Sequence, residues 1–366
     1  MTGDNMSRLS KITIIIPVLN PSDRLFNVVG ELVEVGFSDI IVVNDGSGAA
    51  YIKTFEDVGN LPGCTVLAHE KNKGKGAALK TAFCFFLENR TDNIGVVTMD
   101  SDGQHRTADV VKCAEALAEP GDTIIMGVRD FNKPNVPRRN AFGNRLTAHA
   151  FRLFFGIMLK DTQTGLRGIR KEHLPLVLKI NNNRFDYESA MLIEAEKEGL
   201  RFHEVEIETV YEKDSKDPSH YRPFADSLLI LLVVSSRLVK YALSGISTFF
   251  LDIGLFWVII RFFGSFFGAW AILLSTFFAR VFSAYTNFYI NRRFVFTSNK
   301  SLGLQTFRYF ILASVQMCVS AGLLWLLSLL IKENHSAGLL TFLKAIVDTV
   351  IVSFSFIIQR KWVFRK

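Results

Sequence analysis

Four cysteines in 366 residues, none in C-x-x-C or zinc-type spacing, exclude a disulfide framework and a Cys-based metal centre. A reducing, cytoplasmic setting for the N-terminal part follows. No G-x-G-x-x-G follows the first β-type run and no G-x-x-x-x-G-K-[ST] occurs, which disfavours a dinucleotide oxidoreductase and a Walker-type nucleotide hydrolase. Acidic residues almost vanish from the last third: residues 237–366 hold only Asp252, Glu333 and Asp348 against 14 Lys and Arg, whereas residues 1–236 hold 32 acidic against 28 basic side chains. The net charge of +7 is therefore no nucleic-acid footprint, and no nucleic-acid partner is expected. The same third carries 19 of the 33 Phe. Low charge with high apolar content is a membrane composition, which excludes a single soluble domain, a disordered chain and a collagen-like one. The apolar run at Ile12–Val18 is short and reads as a strand, so no cleavable signal peptide is expected.

From Lys11 onward, β-type runs alternate with helix-length segments. Strands are expected at Ile12–Pro17, Ile40–Val43, Thr65–Ala68, Ile94–Met99 and Thr123–Met126, and helices at Ser22–Val35, Gly76–Glu88 and Ala108–Ala118. That succession implies a parallel sheet covered by helices, with ligands bound beyond the carboxyl ends of the strands. The polar, glycine-containing segments fall there: Asn20, then Asn44-Asp45-Gly46-Ser47, then Asp100-Ser101-Asp102-Gly103-Gln104-His105. Two carboxylates two residues apart after a buried strand suit a hard cation, Mg²⁺ or Mn²⁺, shared with a diphosphate; an ordinary Asx-rich turn is the alternative. Lys73-Gly74-Lys75-Gly76 opens a helix with small and basic residues, which fits either an anion at a helix N-terminus or a plain lysine-rich helix start.

In this order, Ile16-Pro17-Val-Leu-Asn20, Asn44-Asp45-Gly46-Ser47, Asn72-Lys-Gly74-Lys75-Gly76, Asp100-Ser-Asp102-Gly-Gln104-His105 and Asp161-Thr-Gln-Thr164-Gly165-Leu-Arg167 resemble family 2 glycosyltransferases of the dolichol-phosphate mannose synthase type. The resemblance covers roughly residues 12–211. It departs at Asn20-Pro21, where many relatives have Asn-Glu. It implies an α/β GT-A (Rossmann-like) domain that binds a nucleoside diphosphate sugar. Pro17, Asn20 and Asp45 would line the nucleoside pocket, and Lys75 would lie near the ribose or diphosphate. Asp100, Ser101 and Asp102 would contact the donor, with Asp100, Asp102 and Gln104 on the metal.

A basic stretch follows the fifth strand: Arg129, Lys133, Arg138, Arg139, Arg145 and Arg152. Guanidinium groups match phosphate oxygens bidentately. The resemblance assigns the acceptor's lipid phosphate to Arg129 and Arg139, with Arg138 and Arg222 as further candidates, and places Asp100, Asp102, Arg129 and Arg139 at the reaction centre. Asp161 is expected to shape its loop or recognise the sugar. The helix expected at Asn140–Leu159 puts Phe142, Leu146, Ala150, Leu153, Phe154 and Ile157 on one face, which suits either a core-facing or an interfacial helix.

Four apolar spans follow at about 241–260, 266–290, 307–331 and 338–358, each near the ~20 residues that cross a bilayer. They repeat at an offset of 68. Lys240-Tyr241 matches Arg308-Tyr309, Trp257 matches Trp325, and Asn291-Arg-Arg-Phe-Val-Phe296 matches Gln359-Arg-Lys-Trp-Val-Phe364. Two hairpins of parallel topology put most basic residues on one side, which the positive-inside rule makes cytoplasmic together with the N-terminal domain and the C-terminus. The pattern resembles the GtrA-like membrane domain. Arg280 and Asp348 occupy equivalent positions and are expected to pair.

The expected organisation is a cytoplasmic transferase domain (1–222), an interfacial helix (223–236) and an all-α domain of four transmembrane helices (237–366). The expected activity is inverting, metal-dependent transfer of one hexose from a nucleotide sugar, UDP-glucose or a related UDP-hexose, to a polyprenyl phosphate (undecaprenyl or dolichyl phosphate). GDP-mannose as donor, and a translocation accessory with a silent transferase domain, are the alternatives. The membrane domain is also a candidate surface for a homo-oligomer.

Overall fold

The computed structural model describes residues 8–131, 133, 136, 138–208, 223–267, 270–296, 298, 301–330 and 337–364. The chain divides into two units, Met1–Val234 and Ser235–Lys366.

The first unit is built on one seven-stranded sheet. Its strands are β1 (Ile12–Val18), β2 (Ile40–Asn44), β3 (Cys64–Ala68), β4 (Gly95–Thr98), β5 (Thr123–Arg129), β6 (Arg167–Arg170) and β7 (Arg201–Ile207), in the order β3-β2-β1-β4-β6-β5-β7. The helices are α1 (Leu25–Glu34), α2 (Ile52–Gly59), α3 (Lys75–Asn89), α4 (Thr107–Ala118), α5 (Arg138–Phe154), α6 (Leu174–Leu178) and α7 (Asp186–Lys197). Strand β1 is nearly all apolar because both its faces are covered. Ile15 points into a core with Leu79, Phe83 and Phe86 of α3 and Tyr187 and Met191 of α7. Ile12, Ile14, Ile16 and Val18 point into the other, with Leu25, Val29 and Leu32 of α1 and Val110, Ala114 and Leu117 of α4.

One strand departs from the all-parallel expectation: β6 runs antiparallel between β4 and β5, while β7 extends the sheet parallel to β5. The sequence masked β6 because its four residues, Arg-Gly-Ile-Arg, contain no apolar run, and Arg167 at its start is a fully buried charge. The expected apolar face of α5 divides. Phe142, Leu146 and Leu153 are exposed, while Ala150 and Phe154 pack against the core and Ile157 beyond the helix is buried in it, beside Phe151 and Phe155.

The unit boundary falls within the helix α8 (Pro223–Phe267); α9 (Ala271–Ile290), α10 (Leu302–Leu330) and α11 (Ala337–Ile358) complete the second unit. Among the described residues, Ile230–Phe263 is long and apolar enough to cross a membrane. The surface of this unit is apolar, with Phe249, Phe250, Trp257, Phe262, Phe277 and Phe282 all exposed.

The duplication has a structural counterpart. Asn291 Nδ2 donates to Gln359 Oε1 at 3.3 Å, and Phe296 stacks on Phe364 with centroids 4.9 Å apart; both are pairs at the offset of 68. Flanking contacts obey the same two-fold relation. Tyr241 packs on Phe356 and Tyr309 on Phe288, each at 5.3 Å. Phe288 meets Phe364 at 5.7 Å and Phe356 meets Phe296 at 5.5 Å. Each copy of the motif closes its helix with an i→i+5 bond, Phe296 N to Asn291 O and Phe364 N to Gln359 O, both 2.8 Å. These wide turns free the amide side chains to meet.

The expected Arg280–Asp348 pair falls on Asp348, whose side chain lies outside the described residues; Arg280 meets another acid. Arg280 Nη2 lies 3.4 Å from Asp252 Oδ2, and Ser283 Oγ donates to Asp252 Oδ1 at 3.0 Å. The Lys344 side chain also lies outside the described residues. The amide pair at the repeat axis gives a test. Asn291→Leu alone leaves the buried Gln359 Oε1, and Gln359→Leu alone one Asn291 N–H, without its partner, at about 1–3 kcal/mol, whereas the double replacement removes both groups. Thermal denaturation of the detergent-solubilised protein should rank each single variant below the double, and equal loss in all three would refute the coupling.

Candidate active site

The loops after β1 and β2 are tied together by short polar side chains. Pro17 sits in a central strand at no cost. The Ile15 carbonyl, on the same side of β1, takes Met99 N at 3.0 Å, and β4 has ended before Pro17 would need a partner there. Asn20 adopts φ 47°, the left-handed conformation that Asn tolerates. Its backbone N–H donates to Ser47 Oγ at 2.8 Å and its Oδ1 accepts from Gly48 N at 3.3 Å. Asn44 Oδ1 accepts Ser47 N, three residues on, at 2.8 Å.

Asp45 is buried and both its oxygens are engaged. Oδ1 accepts Lys73 N at 2.9 Å and lies 2.7 Å from His69 Nδ1, and Oδ2 accepts Gly74 N at 2.8 Å. His69 Nε2 in turn meets Thr81 Oγ1 at 2.9 Å. Asp45 thereby builds the turn that starts α3, where Gly74 has φ +101°, a region barred to most side chains. Its carboxylate is held by the protein, at the end of β2 where the nucleoside pocket is expected.

That turn delivers Lys75, the first residue of α3, into a group of acids. Lys75 Nζ lies 2.6 Å from Asp100 Oδ1 and 3.0 Å from Glu188, and stands 5.9 Å from the Phe185 ring centroid. Asp100 Oδ2 is 3.5 Å from His105 Nε2. On the same turn Asp102 Oδ1 accepts Gln104 N at 3.0 Å. Gly165 backs this group, and any Cβ there would collide with the Asp100 carboxylate.

Residues 13–174 match the family model Glycosyl transferase family 2, and residues 240–364 match GtrA/DPMS, transmembrane domain. The chain carries a family 2 glycosyltransferase domain and a GtrA-type membrane domain. Curated relatives agree. The UDP-N-acetylglucosamine–dolichyl-phosphate N-acetylglucosaminyltransferase of Methanococcus voltae is 29% identical over 55% of this chain and 86% of its own length. Glycosyltransferase AglJ of Haloferax volcanii is 26% identical over 62% of this chain and 71% of its own. An uncharacterized protein of Methanocaldococcus jannaschii is 29% identical over 55% and 82%.

In the transferase, the acids divide by environment. Burial alone would raise the Asp100 carboxyl, but the Lys75 ammonium and His105 outweigh it and hold it well below the usual carboxylate range. Desolvation, and then the neighbouring Asp100 charge, push Asp102 upward. Lys75 is raised above an ordinary lysine, since Asp100 and Glu188 overcome the penalty of burial. Two carboxylates close enough to raise one of them are a donor set that a divalent cation would relieve. Among the described residues no cluster of three His, Cys, Asp or Glu side chains could hold a metal. A cation on Asp100 and Asp102, with Gln104 beside them, would therefore draw its remaining oxygens from the diphosphate and water.

The transferase's basic candidates fare unequally. Arg129 grips Asp161 bidentately, Nε to Oδ2 at 2.6 Å and Nη2 to Oδ1 at 3.2 Å, and its guanidinium stands 5.1 Å from the Phe131 ring centroid. Asp161 is 0% exposed and also accepts Gln163 N at 3.0 Å, so it shapes its loop. The side chains of Arg138 and Arg139, and the whole of Arg222, lie outside the described residues. Arg167, 0% exposed, donates to Thr164 O at 2.9 Å, Thr162 O at 3.3 Å and Glu188 O at 2.6 Å, and so fastens the Asp161–Gly165 loop to α7.

Glu188 and His69 were missed at the level of sequence. For Glu188 a signal exists: it shares a helical stripe with Leu192 and Ala195, both fully buried, so an acid stands where the core pattern calls for an apolar residue. His69 had none, because its partner Asp45 is 24 residues away.

Proposed function

We propose that the chain transfers one hexose, with inversion, from a UDP-hexose to a polyprenyl phosphate at the cytoplasmic face of a membrane. The observation that carries this reading is the Lys75–Asp100–Asp102 group at the carboxyl end of β4, inside a family 2 domain joined to a GtrA-type one. A UDP-sugar and a dolichyl phosphate in the name of the Methanococcus voltae relative support this donor and acceptor class over GDP-mannose. The organisation that goes with it is a transferase domain at 1–222, an interfacial segment at 223–236 and four spans within 237–366, with the basic loop ends cytoplasmic.

Asp100, Asp102 and Gln104 would hold Mg²⁺ or Mn²⁺, which when bound supplies charge neutralisation for the departing nucleoside diphosphate. Lys75 is the chain's own cation for the same diphosphate. The acceptor needs no protein base, since a phosphate monoester with a second pKa of roughly 6 arrives largely as the dianion. Arg129, already oriented by Asp161, lies at the end of β5, and Arg138, Arg139 and Arg222 remain candidates for the phosphate with it. The exposed Phe142, Leu146 and Leu153 of α5 suit contact with the lipid surface. Alignment and charge screening are then the work of the site.

The test is incubation of purified protein with polyprenyl phosphate, Mn²⁺ and separately labelled UDP-glucose, UDP-N-acetylglucosamine and GDP-mannose. Label should enter the lipid phase from a UDP-sugar and only with a divalent cation. Transfer in excess chelator, or from GDP-mannose alone, would refute the corresponding part.

A further inference from the structure

Lys75 lies between two carboxylates that have different duties. Asp100 follows the end of β4, two residues before Asp102, while Glu188 stands on α7 with a side chain only 9% exposed. At 2.6 Å from Asp100 Oδ1 the ammonium takes a lone pair and the space that a divalent cation on that oxygen would need. At 3.0 Å from Glu188 it already touches an alternative partner. A compact charge on a four-carbon stem can pass from one to the other by a small rotation without being left buried and unpaired.

We propose that Lys75 is the resident cation of the donor site, neutralising Asp100 until a divalent metal displaces it, and that Glu188 is the positioning residue that retains the displaced ammonium beside the diphosphate. The inference deepens the metal-assisted reading above and rests on it. Asp100 is then available to a metal only in the fraction of molecules whose Lys75 has swung to Glu188, and the metal alone binds weakly. A diphosphate offers Lys75 further oxygens, so donor and metal favour each other's binding.

Mn²⁺ binding to the full chain in detergent, followed by electron paramagnetic resonance without nucleotide, tests this independently of transfer. Lys75→Met should tighten Mn²⁺ binding by about tenfold or more, because the competitor is gone. Glu188→Gln should weaken it several-fold in the native background and have no effect on top of Lys75→Met, because Glu188 acts through Lys75. UDP should tighten Mn²⁺ binding in the native protein more than in Lys75→Met. Lys75→Gln serves as a second probe, with circular dichroism to identify the folded variants. A folded Lys75 variant whose Mn²⁺ affinity is unchanged or weaker overturns the inference and leaves the metal-assisted reading intact, as does a Glu188→Gln effect of equal size in both backgrounds. No Mn²⁺ binding by any form, even with UDP, would overturn the metal-assisted reading and this inference together.

Discussion

Asp102→Asn is expected to lower kcat/KM for sugar transfer by about 10²–10³-fold, the scale on which removal of one preorganised charge-stabilising group reduces catalysis. The substitution is chosen because it keeps the fold. Asparagine has the same shape, and its side-chain oxygen can still accept Gln104 N, now at 3.0 Å from Asp102 Oδ1. What disappears is one of the two negative charges proposed to hold the metal against the diphosphate. Asp100→Asn should be as damaging to transfer, but with a second consequence. Lys75 would lose the partner at 2.6 Å and be left to Glu188 alone. Transfer of labelled sugar into the lipid phase at saturating Mn²⁺ measures both. Undiminished turnover by a folded Asp102→Asn protein would remove this residue from the metal site, and recovery at higher Mn²⁺ would show that affinity, rather than chemistry, was lost.

Asp161→Asn is expected to cost the transferase domain about 3–5 kcal/mol, because it breaks a buried ion pair and leaves one member uncompensated. Asp161 is 0% exposed and the Arg129 side chain 20% exposed, so water screens the pair little. The loss should fall on one loop. Asp161 also accepts Gln163 N, and the carbonyls of Thr162 and Thr164 in the same loop receive the buried Arg167 guanidinium. Denaturant unfolding followed by intrinsic fluorescence should therefore show a large shift for Asp161→Asn and a smaller one for Asp161→Asn combined with Arg129→Met, which removes both charges. If the double variant is the less stable, the pair is not the source of the effect. Arg129→Lys addresses function separately. It keeps the charge but gives up the bidentate fork, and it should raise the KM for the lipid phosphate by about 10-fold or more while the domain stays folded.

Legibility from sequence followed the range of the interactions. Strands β1 and β2 were readable because they are buried on both faces and so are mostly Ile and Val. The Asp-Ser-Asp turn was readable because its chemistry lies within six consecutive residues. Strand β6 was not, since its place between β4 and β5 is set by pairing and not by apolar content. On α5 the periodicity was correct, and yet which part of the face turned inward depended on packing against the rest of the core, with Ala150, Phe154 and Ile157 placed there and Phe142 and Leu146 left exposed. In the membrane unit the repeat at 68 residues was visible in the letters. Which residues meet across the repeats was not: Asn291 pairs with Gln359 and Phe296 with Phe364, and Arg280 reaches Asp252 on the preceding helix.

The amino-acid sequence by itself determined the class of protein: an α/β domain with acids at its strand ends, an aromatic and acid-poor membrane part, and a duplicated hairpin. Those properties are local or periodic, and composition and spacing express them directly. Only the tertiary structure decided which charges meet. Asp45 was drawn into the base of the α3 turn by His69 and the amides of Lys73 and Gly74, and Arg129 was locked to Asp161. Lys75 was set between Asp100 and a glutamate 113 residues away. A charged side chain reaches a partner through space, and in a sheet whose strand order runs 3-2-1-4-6-5-7 the nearest partner in space is seldom near in the chain.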